Sequence, residues 1–260
     1  MIDTAAAWVS SHALLLFLLL PLGAAALAVA VAVAVACAGE RFTPAGRLAG
    51  GAAMAGLAGA LFLALAAAVG RPGAVVEFDS ALAGALGMSM GDSLLWLLSW
   101  FTTLGNRGFL TVIAVLMTAA LLARRQWRLA VFCAAATAGG GLLNRLLKHT
   151  FERVRPEHDH GFVTALGWSF PSGHASAAMA VYGAACYLAW RLAPKPWRLP
   201  GVALAAALVM AIGLSRVLLQ VHFASDVVAG FAISFAWLVL CVAAVERAGG
   251  GSARPDQGVQ

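Results

Sequence analysis

Charge is what this sequence has least of. Asp, Glu, Lys and Arg make up 11% of its 260 residues, against about a quarter in an ordinary soluble domain. With 62% hydrophobic residues and a mean hydropathy of +0.89, that scarcity excludes a soluble globular fold. Metal-ligand spacing of cysteines is missing too. Cys37, Cys133, Cys186 and Cys241 stand far apart inside apolar runs. They imply neither a disulfide framework nor a cysteine-based metal site, and read as small buried side chains. The N-terminus has no basic segment ahead of its first apolar run, which is itself too long for a signal peptide, so no cleavable leader is expected. The two-residue alternation of a transmembrane barrel is also absent.

What is present is a series of apolar stretches of about 20 residues, the length that crosses a hydrocarbon core. The fold class they imply is all-α, a polytopic transmembrane helical bundle of about seven spans. These fall at residues 14–36, 48–69, 108–123, 129–147, 172–190, 201–219 and 227–245. Residues 1–70 form an N-terminal pair of spans, 71–247 the remaining core, and the Gly-rich 248–260 a tail expected to be disordered. The segment 71–106 is less apolar, and Glu77, Asp79 and Asp92 are expected to keep its first part near water. Residues 94–104, with Trp96 and Trp100, read as an interfacial amphipathic helix, the alternative being one kinked helix continuous with span three.

A net charge of +6 could suggest a nucleic-acid partner. The basic residues instead sit in short loops between spans, so membrane lipids and no nucleic acid are expected as partners. Ten of the seventeen Lys and Arg fall on one side of a seven-span topology: Arg41, Arg47, Arg124, Arg125, Arg128, Arg191, Lys195, Arg198, Arg247 and Arg254. That side is assigned to the cytoplasm, which leaves the N-terminus and the loops after spans four and six on the outer face of the plasma membrane.

Three polar islands share that outer face. The first runs from Lys148 to Arg155-Pro156. The second is Pro171-Ser172-Gly173-His174, and the third is Ser215-Arg216 followed by His222 and Asp226. Taken singly, each has a plain reading: headgroup anchoring, helix capping, and a pair tying two helix ends together. Ser172 is a natural N-cap, and free amides at a helix start attract anions. His222 and Asp226 are four apart, so on one helix face the carboxylate can fix the imidazole tautomer. Together the islands supply cations, amides, a hydroxyl and two histidines, a set suited to in-line displacement at phosphorus.

Lys148-x6-Arg155-Pro156, Pro171-Ser172-Gly173-His174 and Ser215-Arg216-x5-His222-x3-Asp226 together resemble the three-part signature of the type 2 phosphatidic acid phosphatase superfamily. These are membrane lipid phosphatases related to bacterial acid phosphatases and vanadium haloperoxidases. The likeness extends over about 105–244, with Thr102-Thr103-Leu104-Gly105 similar to the family's lead-in. It implies His222 as nucleophile, forming a phosphohistidine, with Asp226 orienting it. It implies His174 as the acid for the leaving group and then the base for water, and Lys148, Arg155, Ser172, the Gly173 amide and Arg216 as phosphate ligands. No metal and no cofactor is expected. His149, His158, His160 and Arg153 match no catalytic position and read as solvated or headgroup-contacting. The expected substrate is a lipid phosphate or diphosphate: phosphatidic acid, phosphatidylglycerol phosphate, a lipid A phosphate or polyprenyl diphosphate. A phosphotransferase and a non-catalytic lipid or anion binder stay open beside it. The family's usual bundle has six spans, so span one lies outside the resemblance.

Overall fold

Helices without strands make up the computed structural model, which describes residues 1–38, 43–157 and 160–250. Glu40, Arg41, His158 and most of the expected tail (251–260) lie outside the described residues. The long helices are α2 (Ala13–Ala38), α3 (Pro44–Val69), α6 (Arg107–Ala123), α9 (Gly173–Leu192), α10 (Lys195–Leu218) and α11 (Ala224–Gly250). A further long run joins α7 (Trp127–Ala134) to α8 (Gly140–Phe151) through a π turn at Ala135–Gly139. Residues 248–250, expected in the tail, are the last residues of α11. Three short helices complete the set: α1 (Ile2–Ser11), α4 (Ala74–Ser89) and α5 (Asp92–Phe101).

Among the described residues, six runs are long and apolar enough to cross a membrane, with α5 and α6 counted as one. Helix α9 is not among them, and the reason is its place. At 20 residues it is about 30 Å long and packs against α6, α8, α10 and α11 at once. Closely packed neighbours select Ala, Gly and Ser over Leu and Ile. Its start lies beside α11, where the Ser172 amide donates to the Asp226 carbonyl at 2.9 Å. Its end, Leu192, lies with Arg125 and Trp127 at the far side of the bundle. It therefore traverses the molecule, as the seven-span reading requires.

Helices α5 and α6 are separate elements. The chain tightens into a 3-10 turn at Thr102–Gly105, and the Asn106 side chain then caps α6 through the Gly108 amide. Around this break the short helices build an apolar layer that the sequence did not announce. Ala6 and Ala13, Leu82 and Leu86 of α4, and Leu95 and Leu98 of α5 are buried with Leu218 at the end of α10 and Leu219 and Val221 beyond it. Two expectations fail here. Asp79, placed near water from its charge, is 2% exposed in α4. Cys37, expected to be buried, is exposed, whereas Cys133 is buried.

The N-terminal spans serve as staves, α2 along α10 and α3 along α11. Helix α3 does more than flank. Its Phe62 meets Phe151 and Phe170 at ring-centroid distances of 6.0 and 5.7 Å, and Phe151 meets Phe170 at 5.2 Å. Phe170 is fully buried in this trio. Aromatic contacts of that size pin the residue that leads into Pro171-Ser172-Gly173.

Candidate active site

The three polar islands converge at one end of the bundle. Helix α8 delivers Lys148 in its last turn and ends because Glu152 takes the left-handed conformation, φ 45°. The chain then runs extended, since Pro156 excludes helix at the residue before it. Residues i and i+2 of an extended segment share a face, so Arg153 and Arg155 both turn toward the His222 loop. Ser172 caps α9 as expected, its Oγ accepting from the Ala175 amide at 3.5 Å. The link from α10 to α11 turns at Gln220, φ 53°, and carries His222, and Asp226 lies in the first turn of α11.

His222 and Asp226 are both buried, and their Nδ1 and Oδ2 atoms are 3.4 Å apart. Oδ2 also accepts from Ser169 Oγ and from the Phe223 amide at 2.9 Å. Arg155 Nη1 lies 3.0 Å from His222 Nε2 and donates to the Val221 carbonyl at 2.6 Å. A guanidinium only donates. Nε2 therefore accepts, and the ring proton belongs on Nδ1, facing Asp226. Burial pushes the His222 imidazole down to about 3, against the Asp226 carboxylate, which raises it. The result is a neutral ring whose lone pair lies on the site side. Burial likewise lowers Arg155, with Asp226 opposing.

The remaining expected residues also gather here. His174 stands close to the Arg216, Arg107 and Arg155 guanidiniums and to the His222 imidazole. Lys148 Nζ donates to the main-chain carbonyls of Trp168 and Ser169. Arg155 holds Gly167 O at 2.9 Å and Leu166 O and Trp168 O at 3.2 Å. Arg216 is 3% exposed and donates from Nη1 to Thr102 Oγ1 at 3.0 Å, while its buried Nε has no protein acceptor. Gly105 lies so close to His174 that a Cβ there would stand 3.1 Å from its Cδ2. The lead-in 102–105 thus touches one cation and one histidine of the site.

Two expectations are corrected. Arg153 is not solvated. Its side chain is 11% exposed and bridges Asp226 Oδ1 at 2.7 Å and Asp79 Oδ2 at 2.9 Å. His160 is also tied down, with Nε2 3.0 Å from the Leu219 carbonyl and Nδ1 accepting from the Phe162 amide. His149 is exposed, as read. Sequence reasoning passed over Asn144, which donates to Ser176 Oγ at 2.9 Å and to Pro171 O at 3.4 Å behind the α9 start. It also passed over Arg107, whose Nη2 would stand 3.1 Å from a Cβ on Gly173. The available signal was spacing: Asn144 is one helical turn before Lys148, on the same face.

Beside the start of α9, and bordered by Gly173, a groove of about 690 Å³ runs down between α6, α8 and α9. Arg107, Asn144, Gly173 and Ser176 line its head, and small and apolar residues such as Ala114, Ala138 and Gly141 its length, down to Leu122 and Ala134. The π turn lies in this wall and is held by Trp237 Nε1 donating to the Ala135 carbonyl at 3.0 Å. Among the described residues, no three His, Cys, Asp or Glu side chains converge as a metal site would require.

Residues 129–249 match the family model described as the PAP2 superfamily. The chain is 32% identical over 175 residues to phosphatidylglycerophosphatase B of Bacillus subtilis, covering 66% of this chain and 85% of that protein. It is 32% identical over 200 residues to a lipid A 1-phosphatase of Rhizobium etli, covering 71% and 77%. In three dimensions it is similar to the crystal structure of a transmembrane PAP2 type phosphatidylglycerolphosphate phosphatase from Bacillus subtilis. There the TM-score is 0.68 at 28% identity, over 78% of this chain and 98% of the other.

Proposed function

This chain belongs to the PAP2 superfamily, and from that premise we propose that it is a membrane lipid phosphatase working through a phosphohistidine on His222. The observation that carries the reading is the cage itself. Lys148, Arg155 and Arg216 meet beside a neutral imidazole, with one Arg216 N–H buried and unpaired. A buried donor without a partner is costly, and a phosphoryl oxygen would satisfy it. The apolar groove that begins at Gly173, beside the cage, supports a substrate with a hydrocarbon chain.

In the proposed reaction the His222 Nε2 lone pair attacks phosphorus in line. The proton stays on Nδ1, facing Asp226, and the bond to the lipid oxygen breaks. His174, taking up a proton as the anionic phosphate binds beside it, gives that proton to the leaving oxygen, then takes one from the water that cleaves the phosphohistidine. Lys148, Arg155, Arg216, the Ser172 hydroxyl and the Gly173 amide hold the equatorial oxygens. Lys148 and Arg155 would exchange carbonyls of 166–169 for phosphate, and Arg155 would release His222 Nε2 for attack, since those acceptors occupy them in the resting site. With the charge met by side chains, no metal is needed.

The test is phosphate release from a panel of detergent-solubilised lipid phosphates and diphosphates, with acid-labile, base-stable label sought on the protein. Activity inhibited by vanadate and insensitive to EDTA, with label lost in His222→Ala, is expected. No release from any member of the panel would overturn the reading, and label passing to an added lipid alcohol would make it a phosphotransferase. The Lys and Arg asymmetry supports an outward-facing site. A reporter fused within 157–165 should then behave as external, and a cytoplasmic result would reverse the orientation.

A further inference from the structure

The residues that support His222 do not end at Asp226. Arg153 Nη1 donates to Asp226 Oδ1 and to Ser225 Oγ, both at 2.7 Å, and Nη2 donates to Asp79 Oδ2 at 2.9 Å. Asp79 in turn accepts from the Ser225 amide at 3.2 Å and from the Ser225 hydroxyl. The guanidinium lies 4.2 Å from the centre of the Phe223 ring, which covers its face. Asp79, Ser225 and Asp226 are buried, and Arg153 is nearly so. Asp79 comes from α4, outside the matched family region 129–249 and outside all three polar islands.

We propose that Asp79, acting through Arg153, is a positioning residue that supplies the negative charge needed when His222 becomes cationic. The inference rests on the phosphohistidine reading above. The charge count gives the reason. Arg153 and Asp226 alone would cancel, leaving nothing to balance a charged ring. With Asp79 the buried group carries one net negative charge at rest. When Nε2 bonds to phosphorus and the lipid oxygen leaves with its electron pair, the ring keeps its Nδ1 proton and becomes positive. The group is then neutral. Charge placed in advance where a transition state develops its opposite is worth most in a site closed to water. Arg153 also occupies Oδ1, which leaves Oδ2 for Nδ1, Ser169 and the Phe223 amide.

The experiment compares Asp79→Asn, Asp79→Glu and wild type in full-length, detergent-solubilised protein, on a lipid phosphate that wild type hydrolyses. Asp92→Asn, an exposed carboxylate at the start of α5, is the control. Asp79→Asn keeps the size and an acceptor oxygen but removes the charge. Its kcat should fall at least about tenfold with KM changed less than about threefold, because the loss is confined to the charged state. Asp79→Glu should recover part of that kcat, and the control should match wild type. Arg153→Lys, which keeps the charge, should retain more kcat than Arg153→Gln and covers the case in which Asp79→Asn fails to fold. A folded Asp79→Asn protein with wild-type kcat would overturn the proposal, as would a loss seen only in KM or equal losses in the two Arg153 variants. A wild-type protein inactive on every lipid phosphate would instead sink the functional reading on which it rests.

Discussion

Gly230→Ala is the perturbation that most directly probes how the bundle holds its site. Gly230 lies on α11, one turn past Asp226, where α11 crosses the start of α9. A Cβ at this position would stand 2.8 Å from the Ser172 carbonyl oxygen, 3.1 Å from Ser176 Oγ and 3.2 Å from the Ala175 Cβ. The first of these is backbone and cannot turn aside. Ordinary contact begins near 3.4 Å, so the helices must part by about 0.6 Å at the point where the start of α9, with Ser172 and Gly173, meets the first turns of α11. The same crossing carries the bonds from Ser172 N to the Asp226 carbonyl at 2.9 Å and from Ser176 Oγ to the Gly230 carbonyl at 3.2 Å. Overpacking of this size costs about 1–3 kcal/mol of stability. A displacement approaching 1 Å between reacting groups costs up to about a hundredfold in rate. The expected outcome is therefore a protein still folded at 25 °C whose kcat on a short-chain lipid phosphate falls by roughly ten- to a hundredfold. Thermal unfolding in detergent and phosphate release, measured on the same preparation, separate the two effects. Wild-type activity in Gly230→Ala would show that the α9–α11 spacing does not set the phosphate cage.

Two further outcomes follow from burial and from the groove. His222 is held near pKa about 3 by burial, below the roughly 6.5 of an unfolded chain, so its contribution to stability is complete above pH ~6.5 and is lost as pH falls toward 3. Between pH 7 and 5 wild type should lose roughly 2 kcal/mol more stability than His222→Gln, and equal losses would mean that the ring is not buried neutral. In the groove, Gly141 has open space where its Cβ would be, so Gly141→Leu should fill the channel without moving α8. It should lower kcat/KM for long-chain lipid phosphates about three- to tenfold, roughly 1 kcal/mol, and leave dibutyryl phosphatidate unchanged; equal effects on both would place the lipid chain elsewhere.

The sequence by itself determined the class and the address of the chemistry. Scarce charge and recurring apolar runs required a helical bundle, and parity placed the three polar islands at one end. Residue spacing gave Ser172 as the cap and His222 and Asp226 as a pair. Those features are local, written in periodicity and in neighbours four residues apart. What the sequence withheld was every partner set by tertiary packing. Asp79 looked solvent-facing because a lone carboxylate in a polar stretch usually is, yet α4 folds back under an apolar layer and meets Arg153 across 74 positions. Arg153 looked like a headgroup contact because its own neighbours are polar, and only the extended run into Pro156 turns it to the same side as Arg155. Ser169 carries no unusual local signal, and its role comes from His222 and Asp226, which the α10–α11 link and α11 bring to it. Helix α9 reads as the weakest span for the same reason: its small residues suit protein neighbours more than lipid. A buried charge is stable only beside a partner, and in this bundle most such partners come from another helix.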